Sequence, residues 1–77
     1  MNDERREDIH KALALIREAV AILETAQAAE QDDFDGMSED LQDGEEGERA
    51  EEVAEYLEEA VISCDEAISA CESAAQK

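Results

Sequence analysis

Carboxylates are the side chains in this sequence with the greatest capacity for chemistry. The 77 residues include 24 acidic and 6 basic side chains, a formal charge of −18 at pH 7, and residues 30–59 hold fifteen of the acids against one base, Arg49. Such a chain is not expected to bind nucleic acid directly or to bind anionic membranes, because affinity for both depends on Lys and Arg. The composition indicates a basic protein, a cation or another copy of the chain as partner.

The acids between residues 48 and 59 are arranged in rows. Glu48, Glu52, Glu55 and Glu59 follow at steps of four, three and four, so on a helix they share one face about one turn (~5.4 Å) apart. Like charges at this spacing destabilise a helix by roughly 0.2–0.5 kcal/mol per pair. One interpretation is a solvated face that keeps the protein soluble. The other is a surface that imitates nucleic-acid phosphates and binds the basic groove of a nucleic-acid-binding protein. We assign to this partner-binding face Asp40, Asp43, Glu48, Glu51, Glu52, Glu55, Glu58 and Glu59.

Metal and catalytic sites have less support. Residues 32–36 (DDFDG) are similar to part of a calcium loop, but with Gly36 at the sixth position the first and twelfth are Gln31 and Gln42, where carboxylates are needed. His10 is the single histidine, and the sequence indicates no Ser–His–Asp or Cys–His arrangement around it. The two cysteines lack a third and fourth soft ligand, so a structural zinc site is not expected unless a dimer supplies them. Weak divalent cation binding stays open for so acidic a surface. We expect no enzyme activity, no dedicated metal site and no cofactor.

The first element that positions these residues is a helix, predicted from about residue 3 to about residue 31. Asn2 or Asp3 can serve as its N-cap. Its seam residues recur at steps of four and three: Ile9, Leu13, Ile16, Val20 and Leu23. This is a heptad pattern, typical of packing against another helix. Leu15 and Ile22 add a second apolar stripe on another flank.

A second helix is predicted from about residue 45 to about residue 75, with Asp43 as its N-cap. Its seam follows steps of three and four: Ala50, Val53, Leu57, Ala60, Cys64, Ala67, Cys71 and Ala74. Val61 and Ile68 form a flanking stripe. The two cysteines stand about 10.5 Å apart along such a helix, too far for a disulfide with each other, and are interpreted as small core thiols.

Between the helices, residues from about 32 to about 44 form an acidic connector. Phe34, Met37 and Leu41 are spaced three and four apart, and Ser38 can open a helical turn. One interpretation is a folded connector whose three apolar side chains cap the end of the hairpin core. The alternative is a disordered acidic linker with incidental apolar residues. We expect the folded cap, because helical spacing of Phe, Met and Leu is unusual in disordered linkers.

The predicted fold is therefore all-α, an antiparallel helical hairpin forming a single domain over residues 1–77. A hairpin covers one side of each helix, so the four residues of the flanking stripes need another partner: Leu15, Ile22, Val61 and Ile68. Two hairpins that associate as a four-helix bundle would cover them, so we expect a homodimer. No apolar run approaches the ~20 residues of a membrane span. We expect a protein of the host-cell cytoplasm that does not enter membranes.

The connector resembles that of a group of small acidic helical-hairpin proteins of phages and mobile elements. The matching residues are Phe34, Asp35, Met37, Glu39, Leu41, Gln42, Glu46, Gly47 and Glu48. Ser38 departs from the proline expected there, and a serine can cap the same turn. The resemblance implies a mobile-element setting without enzymatic activity. By analogy with phage nucleic-acid mimics, it favours an inhibitor of host restriction or CRISPR proteins, an anti-CRISPR for instance. The alternative function is a structural oligomerisation module whose acidic surface only solubilises it.

Overall fold

The computed structural model describes all residues from Met1 to Lys77 as three helices. Helix α1 spans Asp3–Asp35, α2 spans Glu39–Asp43 and α3 spans Glu45–Ala75. The two long helices run antiparallel and pack along their length, so the molecule is a rod with extents of 58 × 14 × 12 Å. The expected all-α helical hairpin is confirmed.

The helix ends are set by local hydrogen bonds. Helix α1 begins after Asn2, whose side-chain oxygen accepts a bond of 2.8 Å from the backbone N–H of Arg5. It ends at Asp35, four residues beyond the predicted end, because Phe34 continues the partly buried seam before Gly36 terminates the helix. The prediction that Asp43 caps the second long helix is wrong. Asp43 is the last residue of α2, and Gly44 precedes α3 without a side-chain cap.

The connector is folded, and Gly47 makes its close packing possible. The Ser38 hydroxyl caps α2 by accepting a 3.4 Å bond from Leu41 N–H, and Gln42 Nε2 donates a 2.9 Å bond to the Phe34 carbonyl. The Gln42 backbone lies directly on the buried Gly47, where an added Cβ would overlap the Gln42 carbonyl. Phe34 and Met37 are partly buried.

Leu41 departs from the expected three-residue cap. Its side chain is 45% exposed, because α2 is a single short turn that cannot direct all its side chains inward. Two of the three apolar connector residues therefore cover the end of the core.

The α1 side of the core follows the expected heptad. Leu13 is 3% exposed, and the remaining seam residues of α1 are partly buried: Ile9, Ile16, Val20 and Leu23. At the open end, Arg6 Nε donates a 3.0 Å hydrogen bond to the Ala75 carbonyl, and Arg17 lies 3.7 Å from the Glu72 carboxylate. Both contacts join α1 to α3 across the helix pair.

The α3 side of the core agrees with the predicted seam at Ala50, Leu57, Ala60, Cys64 and Cys71 but departs from it elsewhere. Val53 is 37% exposed, whereas Val61 and Ile68, predicted to lie on an uncovered flank, are partly buried against α1. Apart from Ala60, the buried or partly buried positions of α3 step by three and four: Gly47, Ala50, Ala54, Leu57, Val61, Cys64, Ile68, Cys71 and Ala75. This register covers Ile68 in place of Ala67 and adds Val61 beside the partly buried Ala60, so more apolar area leaves water.

Candidate anionic binding surface

The carboxylates of the partner-binding face are fully available for contact. All six of its residues on α3 are exposed, as are Asp40 and Asp43 on α2 at the tip of the rod. None of the eight takes part in an ion pair, since the two ion pairs of the protein join Arg6 to Asp3 and Arg17 to Glu72. Arg49, the one base in this part of the chain, makes none either. The negative charge of the surface is therefore uncompensated from within the protein.

The spacing of these carboxylates along α3 can be compared with that of phosphates. The six acids of the face on α3 lie between residues 48 and 59, and at ~1.5 Å rise per residue they cover about 17 Å, or one carboxylate per ~2.8 Å. One strand of DNA carries one phosphate per ~3.4 Å of helix axis. The α3 segment thus matches or exceeds the linear charge density of a nucleic-acid strand.

Two open grooves flank the helix pair near the connector. One, of about 350 Å³, is lined by Glu51, Glu55 and Glu58 of α3, with Gln27 and Gln31 of α1 and with Phe34 and Ala54. The three glutamates belong to the predicted face, and the two glutamines add amide donors and acceptors beside them. The sequence reasoning missed these glutamines, because their position opposite α3 depends on the helix register.

The second groove, of about 360 Å³, lies on the other side of the helix pair. Its carboxylates come from Glu30, Asp33 and Glu46, and its other lining residues are Arg49, Met37, Ala50 and Val53. These three acids lie within the residue 30–59 charge run but outside the predicted rows. Only the folded hairpin brings the two from α1 next to the one from α3.

The side chains that could bind a metal ion or act as nucleophiles do not form a cluster. No cluster of three or more His, Cys, Asp and Glu side chains has a geometry able to hold a metal ion. Cys64 and Cys71 are free, partly buried thiols of the α3 seam. None of the helices is both long enough and apolar enough to cross a membrane.

Comparisons with known proteins returned no significant similarity: no protein-family model, curated protein or solved structure matches this chain.

Proposed function

We propose that the protein is a non-catalytic inhibitor whose anionic face on α3 occupies the nucleic-acid groove of a basic host defence protein. The observation that supports this most directly is the charge density: the six exposed carboxylates of the face in residues 48–59 are spaced about as closely as the phosphates of one strand. The resemblance of the connector to phage proteins adds the expected setting, a host-cell cytoplasm in which restriction or CRISPR enzymes are the targets.

The energetics favour a surface that a partner uses. A face that only keeps a protein soluble can mix Glu with Lys at helical spacing and gain stability from the pairs. Here Glu48, Glu52, Glu55 and Glu59 make no ion pair, and Arg49, the one base among them, makes none either. An array of Arg and Lys in a partner would relieve this repulsion, so binding and helix stability would reinforce each other.

The test is capture of the tagged protein's partners from host lysate at low salt, followed by stepwise elution with rising salt. A complex held by exposed charges weakens as the Debye length shrinks from ~30 Å at 0.01 M to ~8 Å at 0.15 M. We expect a DNA- or RNA-binding enzyme to elute at moderate salt and to be released by added nucleic acid.

Two double variants separate the anionic face from net charge. Glu52→Lys/Glu55→Lys changes the proposed face, whereas Glu7→Lys/Glu66→Lys makes the same charge change at exposed positions toward the open end of the rod. We expect the first to abolish capture and the second to retain it. Equal loss from both, or capture of no nucleic-acid-binding protein, would overturn the inhibitor proposal.

The second candidate function is a structural oligomerisation module with a merely solubilising acidic surface. It is favoured by a specific observation, the exposure of Leu15 at 66% and Ile22 at 65% on the outside of the hairpin. We propose that two hairpins associate through such residues as a four-helix bundle, and this homodimer is compatible with either function. Assembly of this kind holds or strengthens as salt rises, so its salt response is opposite to that of the inhibitor complex.

A further inference from the structure

One side of the hairpin carries a stripe of exposed and partly buried apolar side chains on each long helix. On α1 the stripe consists of Ala12, Leu15, Ala19, Ile22 and Ala26, at steps of three and four. The same steps continue through Ala29 to Asp33, and Asp33 lines a groove together with Val53 and Arg49 of α3. Val53 and the α1 stripe therefore lie on the same side of the rod, and we call this side the neutral face.

The α3 half of the neutral face is free of carboxylates. From Val53 it follows steps of three and four: Val53, Tyr56, Ala60, Ser63, Ala67 and Ala70. Tyr56 is 64% exposed and Val53 is 37% exposed. A face without an acid over this length is unexpected by chance in a chain with 24 acidic residues. A surface shaped only by solubility would distribute charge over it.

We infer that the occupant of the neutral face is a second copy of this chain, placed antiparallel to the first, with a two-fold axis that crosses α1 at Ala19. Ala19 is the midpoint of α1, which spans Asp3–Asp35. The residue sizes along the α1 stripe are symmetric about Ala19, with a large residue on either side of it and small residues beyond. The two-fold axis therefore places Leu15 beside Ile22 of the second copy.

The same axis matches large residues with small ones on α3. The bond between Arg6 and Ala75 fixes the levels of the two helices, so with equal rise per residue Ala19 lies level with Ile62. A two-fold axis at this level, between Ala60 and Ser63, sets Tyr56 against Ala67 and Val53 against Ala70 of the second copy. Large-on-small matching of this kind allows two helical surfaces to interdigitate.

The charge distribution selects the antiparallel arrangement over the parallel one. Residues 30–59 carry a net charge of −14 and form the connector half of the rod. A parallel pair would bring two such halves together within a Debye length of ~8 Å. The antiparallel pair places them at opposite ends of a rod that is 58 Å long, and brings Arg5 to the level of Asp33 of the second copy.

One side of the rod is large enough for an interface between two copies, and the single hairpin has only a small core. Only 3 of 77 residues are buried in the single hairpin, and no large side chain is fully enclosed. Two rods that overlap along their full 58 Å, at a width of roughly two helix diameters, ~20 Å, would share about 1,100 Å², of which the apolar stripes supply the central ~25 Å of length. A standard interface buries about 800 Å² per partner. A second copy thus supplies the core that one chain lacks.

The test begins with the mass in solution, measured by light scattering on a dilution series, with helix content followed by circular dichroism. The wild type should have twice the 8.5 kDa mass of the chain. Ile22→Glu should raise the dimer dissociation constant roughly 100- to 10,000-fold, because each of two copies loses a buried isoleucine. Ile62→Glu is the matched control, since Ile62 is also exposed, at 50%, and is level with Ala19 but off the neutral face. It should change the constant by less than about threefold.

Orientation is tested by oxidation of Ala19→Cys and of the control Ala14→Cys, each in a Cys64→Ala/Cys71→Ala background. The two-fold axis brings the Ala19 positions of the two copies together, so Ala19→Cys should give a covalent dimer and Ala14→Cys should not. This inference rests on the proposed homodimer, and the two can fail separately. A monomer at every concentration would overturn both, whereas a dimer without the Ala19→Cys crosslink would overturn the antiparallel arrangement alone.

Discussion

Replacement of Gly47 by alanine should destabilise the protein, although Gly47 lies inside a helix, where alanine is ordinarily favoured. In an exposed helix interior the change from Gly to Ala stabilises by about 1 kcal/mol. At Gly47 the new Cβ would overlap the Gln42 carbonyl and lie 2.6 Å from Gln42 Cα. These are backbone atoms, which cannot rotate away, so α2 must shift as a whole.

The magnitude follows from the two opposing effects. Overpacking costs roughly 1–3 kcal/mol, and displacement of α2 removes the Gln42–Phe34 hydrogen bond, which contributes about 1 kcal/mol. Subtraction of the propensity gain leaves a net loss of about 1–3 kcal/mol in the free energy of unfolding. At ~4–8 °C per kcal/mol for a domain of this size, the Tm falls by roughly 5–20 °C.

The assay is urea unfolding followed by circular dichroism, at fixed protein concentration and fixed salt, with Gly36→Ala as the matched control. Gly36 has φ −81° and ψ −9°, and its nearest contact to an added Cβ is 3.4 Å, so alanine fits there without strain. We expect Gly36→Ala to be neutral or slightly stabilising. A gain in stability for Gly47→Ala comparable to that of Gly36→Ala would refute the argument that the α2 backbone rests on Gly47.

Two further substitutions test the thin core and the open end. Leu13→Ala should lower the free energy of unfolding by about 2–4 kcal/mol, because Leu13 is the one large side chain that is buried, at 3% exposure. Thermal unfolding measures this loss against the control Leu41→Ala, at a site 45% exposed. Equal losses would contradict the assignment of Leu13 to the core. Arg6→Ala should lower the free energy of unfolding by about 1 kcal/mol, since Arg6 Nε donates a hydrogen bond to the Ala75 carbonyl. It should also increase amide hydrogen exchange in the last turn of α3. Exchange no faster than in the control Arg5→Ala would show that this bond does not hold the open end.

The helices, and the presence of a short turn in the connector, could be predicted from the sequence, but the register of α3 could not. Its apolar residues come in adjacent pairs, such as Ala60 with Val61 and Ala67 with Ile68, so two heptad registers fit equally well. The choice between them depends on the volume that α1 leaves free, and a single-helix pattern does not contain that quantity. The prediction of an uncovered stripe on α3 is wrong for the same reason: Val61 and Ile68 belong to the hairpin core, whereas Leu15 and Ile22 on α1 are exposed as predicted.

The candidate surface was predictable in part. The acidic rows of α3 follow directly from residue spacing, because exposed charges on a helix need no partner to define their face. The grooves do not follow from spacing, since Gln27, Gln31, Glu30 and Asp33 reach them only through the pairing of α1 with α3. The role of Gly47 was also hidden, because a close backbone approach leaves no periodic signal.

The register of the hairpin also determines how the chain can fold. Contacts between its halves join residues 8 apart at the connector, where Gln42 bonds Phe34, and 69 apart at the open end, where Arg6 bonds Ala75. Closing the shorter loop costs less entropy, so we expect zipping to start at the connector, where the net charge of −14 resides. Repulsion then opposes the earliest step, and added salt should speed folding while leaving the unfolding rate nearly constant. A basic partner that neutralises this segment would act in the same way, as a template on which newly made chains fold faster.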